Sequence, residues 1–273
     1  MTALLDINDL RVTFCGLRAV DDLCVRVEAG QLVGLIGPNG AGKTTTIDAI
    51  TGFVPSEGVV TFDGAPIGGL VAHKRARRGL VRTWQSLELF DDLTIIENLL
   101  VASEQASLAD VFLDLVMPQR RRDDSAALHA LNVLGIAHLR DRMPTEISQG
   151  QRKLVGVARA LAAVPKLVCM DEPAAGLDTR ESQELGRRLR TIVDSGVTIL
   201  LVDHDMGLVL NVCDYIYVIE FGRKIAEGTP ADIIKDERVI EAYLGASHHD
   251  TPEPTSVAEG VNPTTGAEGV NPT

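Results

Sequence analysis

The chain predicts an α/β fold whose parallel sheet is built around a phosphate-binding loop. Three observations lead there. Residues 37–45 read Gly-Pro-Asn-Gly-Ala-Gly-Lys-Thr-Thr, fitting G-x-x-x-x-G-K-[ST], between the apolar run Leu32–Ile36 and the helical segment Thr45–Ile50. Two more apolar runs, Leu167–Met170 and Val197–Val202, are near-continuous, as in strands buried on both faces. Helical segments at Gln151–Ala163 and Arg180–Asp194 alternate with those runs, which is the α/β arrangement.

The elements follow in order. Leu10–Phe14 and Leu23–Val27 alternate apolar and polar residues and read as strands. Glu28-Ala29-Gly30 turns into the strand that feeds the phosphate loop, and Val59–Phe62 before Asp63-Gly64 suggests another strand and turn. The basic segment His73–Arg78 reads as a solvated helix face or as a surface near a membrane partner. From about residue 92 to 147 the character is helical: Asn98–Val116 is rich in Leu, Ala and Glu, Pro118 breaks it, and Ala126–Leu134 resumes. Arg120-Arg121-Arg122 before Asp123-Asp124 reads as a solvated helix start. Residues 247–273 read as a disordered acidic tail in which Ala258–Thr264 recurs as Ala267–Thr273; two polar copies are too few for a solenoid. His248-His249 lies in that tail and is given no metal role.

Composition narrows the function classes. The 273 residues carry a net charge of −12 and only 4% aromatics, which argues against nucleic acid as a partner. Cys15, Cys24, Cys169 and Cys213 form no C-x-x-C pair and suit neither zinc nor a disulfide framework, so they read as reduced thiols. The N-terminal residues lack the charge and apolar pattern of a signal peptide. No apolar run approaches the ~18 residues of a membrane span, so any link to a membrane is expected to go through a partner.

The chemistry is carried by a few positions. Gly37, Gly40 and Gly42 let backbone N–H groups wrap phosphate oxygens, with Pro38, Asn39, Ala41 and Thr45 completing the loop. Lys43 can reach the β- and γ-phosphates, and the Thr44 hydroxyl can ligate Mg²⁺. Asp171 and Glu172 end an apolar strand; Asp171 can hold Mg²⁺ through its water shell while Glu172 polarises the attacking water. His204 follows another buried strand, where it can contact the γ-phosphate from the far side. Two acids after a strand can also cap a helix, and a histidine there is commonly structural. Their combination with the phosphate loop favours the catalytic reading.

The order of phosphate loop, Gln85, Ile147-Ser148-Gln149-Gly150-Gln151, Asp171-Glu172, Gly176-Leu177-Asp178 and His204 resembles a nucleotide-binding subunit of the ATP-binding cassette (ABC) superfamily. The resemblance covers residues 4–246. It implies a phosphate-loop NTPase fold with an N-terminal antiparallel β subdomain and a helical subdomain at about 92–160. It also implies ATP and Mg²⁺ as cofactors, with Gln85 contacting the metal and the attacking water. Phe14 matches the aromatic that stacks on adenine, and Asp178 joins the nucleotide-site residues. Ser148 and Gly150 match residues that grip the γ-phosphate of an opposite protomer in a head-to-tail dimer. The family's signature loop usually reads Leu-Ser-Gly-Gly-Gln; here Gln149 replaces a glycine.

Arg82-Thr83-Trp84-Gln85, Asp171–Leu177, Asp203–Met206 and the ending Val239–Gly245 are similar to the first ATPase subunit of branched-chain (hydrophobic) amino acid importers. The resemblance implies a second ABC ATPase subunit, identical or merely similar, transmembrane permease subunits, an indirectly engaged substrate-binding protein, and a peripheral position on the cytoplasmic face of the cell membrane. The rivals are a lipopolysaccharide-export ATPase, which shares the Tyr-Leu-Gly ending, and a soluble non-transport cassette. Such soluble relatives usually carry two cassettes, a long coiled coil or basic surfaces.

Overall fold

The computed structural model describes residues 3–83, 89–103 and 124–246. Gln85, the run from residue 104 through Val116, Pro118 and Arg120–Arg122, and the tail with His248-His249 lie outside the described residues.

Strands β1 (Leu5–Phe14), β2 (Leu17–Val27), β4 (Glu57–Phe62) and β5 (Ala65–Pro66) make an antiparallel sheet in the order β2-β1-β4-β5. β1 and β2 are longer than the short alternating runs in the sequence suggest. Register shifts between Ile7 and Leu10 and between Leu10 and Thr13 carry the hairpin through irregularities that break simple alternation.

The second sheet contains β3 (Leu32–Ile36), β6 (Leu80–Arg82), β7 (Leu167–Asp171), β8 (Thr198–Val202), β9 (Tyr215–Glu220) and β10 (Arg223–Gly228), in the order β10-β9-β3-β8-β7-β6. All its pairs are parallel except the β9–β10 hairpin at one edge. The parallel sheet expected from the apolar runs is therefore present. β6, β9, β10 and the helices after residue 205 were not assigned from sequence.

Each central strand buries both faces. In β3, Leu32 and Ile36 belong to one core and Val33 and Leu35 to the other; β7 and β8 alternate the same way. One core joins the antiparallel sheet to α1 (Lys43–Thr51), with Ile47, Ala49 and Ile50 packed among Leu5, Val20 and Phe62. The opposite core holds α3 (Ile95–Ser103), α4 (Ser125–Val133), α5 (Gln149–Ala162), α6 (Thr179–Asp194) and α7 (Met206–Val212). Among the described residues the remaining α-helices are α2 (Ala72–Ala76), α8 (Pro230–Ile233) and α9 (Glu237–Ala246). Among the described residues no helix is long and apolar enough to cross a membrane.

The basic segment divides. His73, Lys74, Arg77 and Arg78 are exposed, but Arg75 is buried and donates to the carbonyls of Ala49, Ile50, Gly68 and Leu70. Neither a solvated face nor a partner surface describes Arg75: it ties the C-terminal end of α1 to the loop before α2. The buried Asn98 does similar work for the entrance to α3. It accepts from the Phe90 N–H and donates to the carbonyls of Phe90, Leu93 and Thr94.

Candidate active site

The parallel strands all end at one edge of the sheet, and that edge collects the chemistry. β3 feeds the phosphate loop, β7 delivers Asp171 and Glu172, and β8 leads to Asp203 and His204.

Close packing dictates the glycines of the loop. A Cβ on Gly37 would lie 2.0 Å from the Ile219 carbonyl oxygen, and one on Gly42 2.4 Å from that of Ala19. Gly42 also has φ +101°, which an L side chain rarely adopts. The back of the loop thus rests on β9 and β2, and it is pinned by hydrogen bonds from the Gly222 N–H to Ala41 O at 2.9 Å and from the Ala41 N–H to Pro38 O at 3.1 Å. Asn39, Gly40 and Thr44 face solvent, while Pro38 and Thr45 are half-buried. The first-turn N–H groups of α1 have no intrahelical acceptor and suit an anion.

Lys43 is 6% exposed, and its Nζ donates to Gly37 O at 2.7 Å and Pro38 O at 2.9 Å. Burial draws its pKa down, while Glu172, Asp171 and Asp203 pull the other way. A cation so placed, above glycine-lined backbone, is what phosphate oxygens require.

Thr44 Oγ1 lies 3.3 Å from Asp171 Oδ1 as a hydrogen-bond donor. Two hard oxygen donors beside a phosphate cradle match Mg²⁺, which prefers one or two protein oxygens plus phosphate. Burial raises the Asp171 pKa, opposed by Arg82 and by the Thr44 hydrogen bond.

Glu172 has φ 48°, in the left-handed region. Its N–H donates to Val202 O at 2.7 Å, which holds the turn. Such strain persists where surrounding structure over-determines it. The turn sends adjacent side chains to different partners: Asp171 meets Thr44, and Glu172 Oε1 lies 3.7 Å from His204 Nδ1. Beneath His204, the fully buried Asp203 accepts from the N–H of Ala174 at 3.2 Å and of Asp205 at 3.0 Å. Its pKa is raised by burial against those bonds.

Four candidates lie on elements other than these strand ends. Phe14 is 44% exposed at the β1–β2 turn. Ser148 caps α5, accepting from the Gln151 N–H at 3.2 Å, and Gln151 Oε1 accepts from the Ser148 N–H at 3.0 Å. Asp178 and Glu181 form the equivalent box at the start of α6. A Cβ on Gly150 would sit 2.9 Å from Glu181 Oε1, so the two helix starts abut. They flank a cleft of ≈ 270 Å³ that Ser148, Gly150 and Leu177 help line. Among the described residues no hydrogen bond or ion pair joins Ser148 or Gly150 to the phosphate loop.

Sequence reasoning gave no role to three residues that organise this region: Arg82, Asp203 and Lys153. Lys153 Nζ donates to the carbonyls of Pro173, at 3.2 Å, and Ala175, tying α5 to the segment after Glu172. A charged residue ending or following an apolar strand, as Arg82 and Asp203 do, is the only sequence signal of such a role.

The fold and this edge define a phosphate-loop ATPase. The ABC transporter family profile matches residues 20–175, and the profile of the branched-chain amino acid ATP-binding cassette transporters matches residues 223–249. The chain belongs to the ABC transporter family and is the ATPase subunit of a transporter. It is 39% identical over 249 residues to the high-affinity branched-chain amino acid transport ATP-binding protein BraF of Pseudomonas aeruginosa, covering 89% of this chain and 98% of that one. It is 38% identical over 244 residues to the lipopolysaccharide export system ATP-binding protein LptB of Escherichia coli, with the same coverage. The crystal structure of MJ1267, an ATP-binding cassette of an ABC transporter in its ADP conformation, superposes with a TM-score of 0.80 at 32% identity, over 90% of this chain and all of that one.

Proposed function

We propose that this chain energises import of branched-chain amino acids from the cytoplasmic face of the membrane. It would sit there as a peripheral subunit paired with a second cassette beneath two permease subunits, with a substrate-binding protein engaged indirectly and no nucleic acid partner. The observation that carries the substrate class is the match of residues 223–249 to the branched-chain amino acid cassettes. The similarity to BraF supports it.

For hydrolysis, the loop from Gly37 to Thr45 binds the phosphates of ATP, and Lys43 neutralises their charge. Thr44 and Asp171 would hold Mg²⁺, which would supply neutralisation of phosphate charge; Gln85 is assigned to the same metal by the family resemblance. Glu172 orients the attacking water and accepts its proton. His204 stands on the far side of the γ-phosphate. Phe14 stacks on adenine. Ser148, Gly150 and Asp178 act across the dimer on the nucleotide held by the partner. Residues 4–246 form the cassette, with about 92–160 as its helical subdomain.

Deleting the gene and measuring uptake of labelled leucine, isoleucine and valine tests the proposal. Loss of uptake, restored by wild type and not by Glu172→Gln, is expected. The similarity to LptB favours a second reading, a lipid-export ATPase. Unchanged uptake together with co-purification of lipid-export subunits would establish that reading instead.

A further inference from the structure

Arg82 ends β6, its guanidinium side chain is 6% exposed, and it has no part in the phosphate chemistry described above. β6 pairs in parallel with β7, Arg82 opposite Cys169, and the Thr83 N–H donates to Cys169 O at 2.9 Å. That register brings Arg82 to the strand-end Asp171. One arm of the guanidinium, Nη2, donates to Asp171 Oδ2 at 3.0 Å, and the other, Nη1, donates to Asp48 Oδ1 on α1.

Thr44 and Asp48 are one turn apart on α1 and share a face. The contacts therefore close a ring: Thr44 to Asp171 Oδ1, Asp171 Oδ2 to Arg82, Arg82 to Asp48, and Asp48 back to Thr44 along the helix. The two oxygens of Asp171 are divided between the hydroxyl and the arginine. Asp48 balances the charge of Arg82, so the cation orients Asp171 without cancelling its charge toward a divalent ion. A planar fork can hold two carboxylates at once; a lysine ammonium is a point charge on a flexible stem.

We propose that Arg82 is a positioning residue for Mg²⁺: it clamps the end of β7 to α1, so that Thr44 and Asp171 are held as a preformed pair of oxygen donors. This rests on the reading of the site as one for Mg-nucleotide.

The test is Mn²⁺ binding to the full chain at saturating ADP, followed by electron paramagnetic resonance, beside ADP affinity in EDTA by calorimetry. Arg82→Gln is expected to weaken Mn²⁺ binding about 10–100-fold, the range for loss of an outer-shell partner, with metal-free ADP affinity changed less than about twofold. Arg82→Lys should fall between wild type and Arg82→Gln. Removing a buried cation can unfold the domain, so Asp48→Asn is the second variant. It leaves Arg82 unbalanced beside Asp171 and should also weaken Mn²⁺ binding. Unchanged or tighter Mn²⁺ binding in folded Arg82→Gln, or in Asp48→Asn if Arg82→Gln does not fold, overturns the proposal. So does an equal loss of ADP affinity with and without metal, which marks a purely structural role. Wild-type protein that binds no ADP at all overturns the underlying reading instead.

Discussion

Replacing Arg75 with methionine removes the tie between the end of α1 and the loop before α2 while keeping an unbranched stem in the space. Arg75 is 4% exposed and gives four hydrogen bonds: to Leu70 O at 2.8 Å, Ala49 O at 2.8 Å, Ile50 O at 2.6 Å and Gly68 O at 3.1 Å. Bonds from a charged donor contribute about 1.5–3 kcal/mol each, so the gross loss is about 6–12 kcal/mol. Relief of the guanidinium's desolvation, several kcal/mol, offsets much of this. The carbonyls decide the remainder. Gly68 is exposed and Leu70 half-buried, so water can reach the backbone there. Ala49 and Ile50 are fully buried, and Ala49 O keeps only a 3.3 Å bond from the Gly52 N–H. One stripped and one weakly held buried carbonyl cost about 3 kcal/mol together. For a domain of this size that lowers Tm by about 6–12 °C. Urea unfolding followed by circular dichroism measures it. Arg75→Lys should recover less than half the loss, because an ammonium cannot fork to four acceptors. A loss below about 1 kcal/mol for Arg75→Met would refute the assignment of Arg75 as a buried tie.

Three further outcomes are expected. Lys43→Ala should weaken MgATP binding about 10–100-fold or more by calorimetry, since a buried charge-assisted contact is lost; unaltered affinity would exclude the phosphate role. Glu172→Gln should bind ATP normally, turn over about 10²–10⁴-fold more slowly and accumulate as an ATP-bound dimer by light scattering, and wild-type turnover would count against Glu172 as the base. Burial pushes the Cys169 thiol up to about 12 and raises Cys213 likewise, whereas Cys15 is exposed. Because these pKa values are raised, the thiolate is scarce below them: at pH 8 Cys169 is ionised to only about one part in 10⁴. A thiol reagent should therefore modify Cys15 first and spare Cys169 and Cys213 until the protein unfolds, and all four reacting at one rate in native protein would contradict this.

Much of the fold was legible where the signal is local. The phosphate loop was legible because nine contiguous residues carry both the turn geometry and its place between strand and helix. β7 and β8 were legible because strands buried on both faces read as continuous apolar runs. β1 and β2 were seen only in part, since their register shifts break the alternation that marks a strand. The site residues divide in the same way. Lys43 and Thr44 follow from the loop itself, whereas the 3.7 Å approach of Glu172 to His204 joins two separate strand ends.

What the sequence determined by itself is therefore the α/β class, the phosphate loop and the family, because these depend on residue types at short, fixed spacing. Tertiary structure alone decided the rest. Arg75 and Arg82 stand in stretches that read as surface or as an unassigned strand, yet both are buried, and their partners lie 5 to 89 residues away. The same structure made Ser148 the cap of α5 and brought Glu172 to His204. The physical reason is that a buried charge takes its role from the groups that solvate it in place of water. Those groups are gathered by strand order and register, which no local spacing encodes.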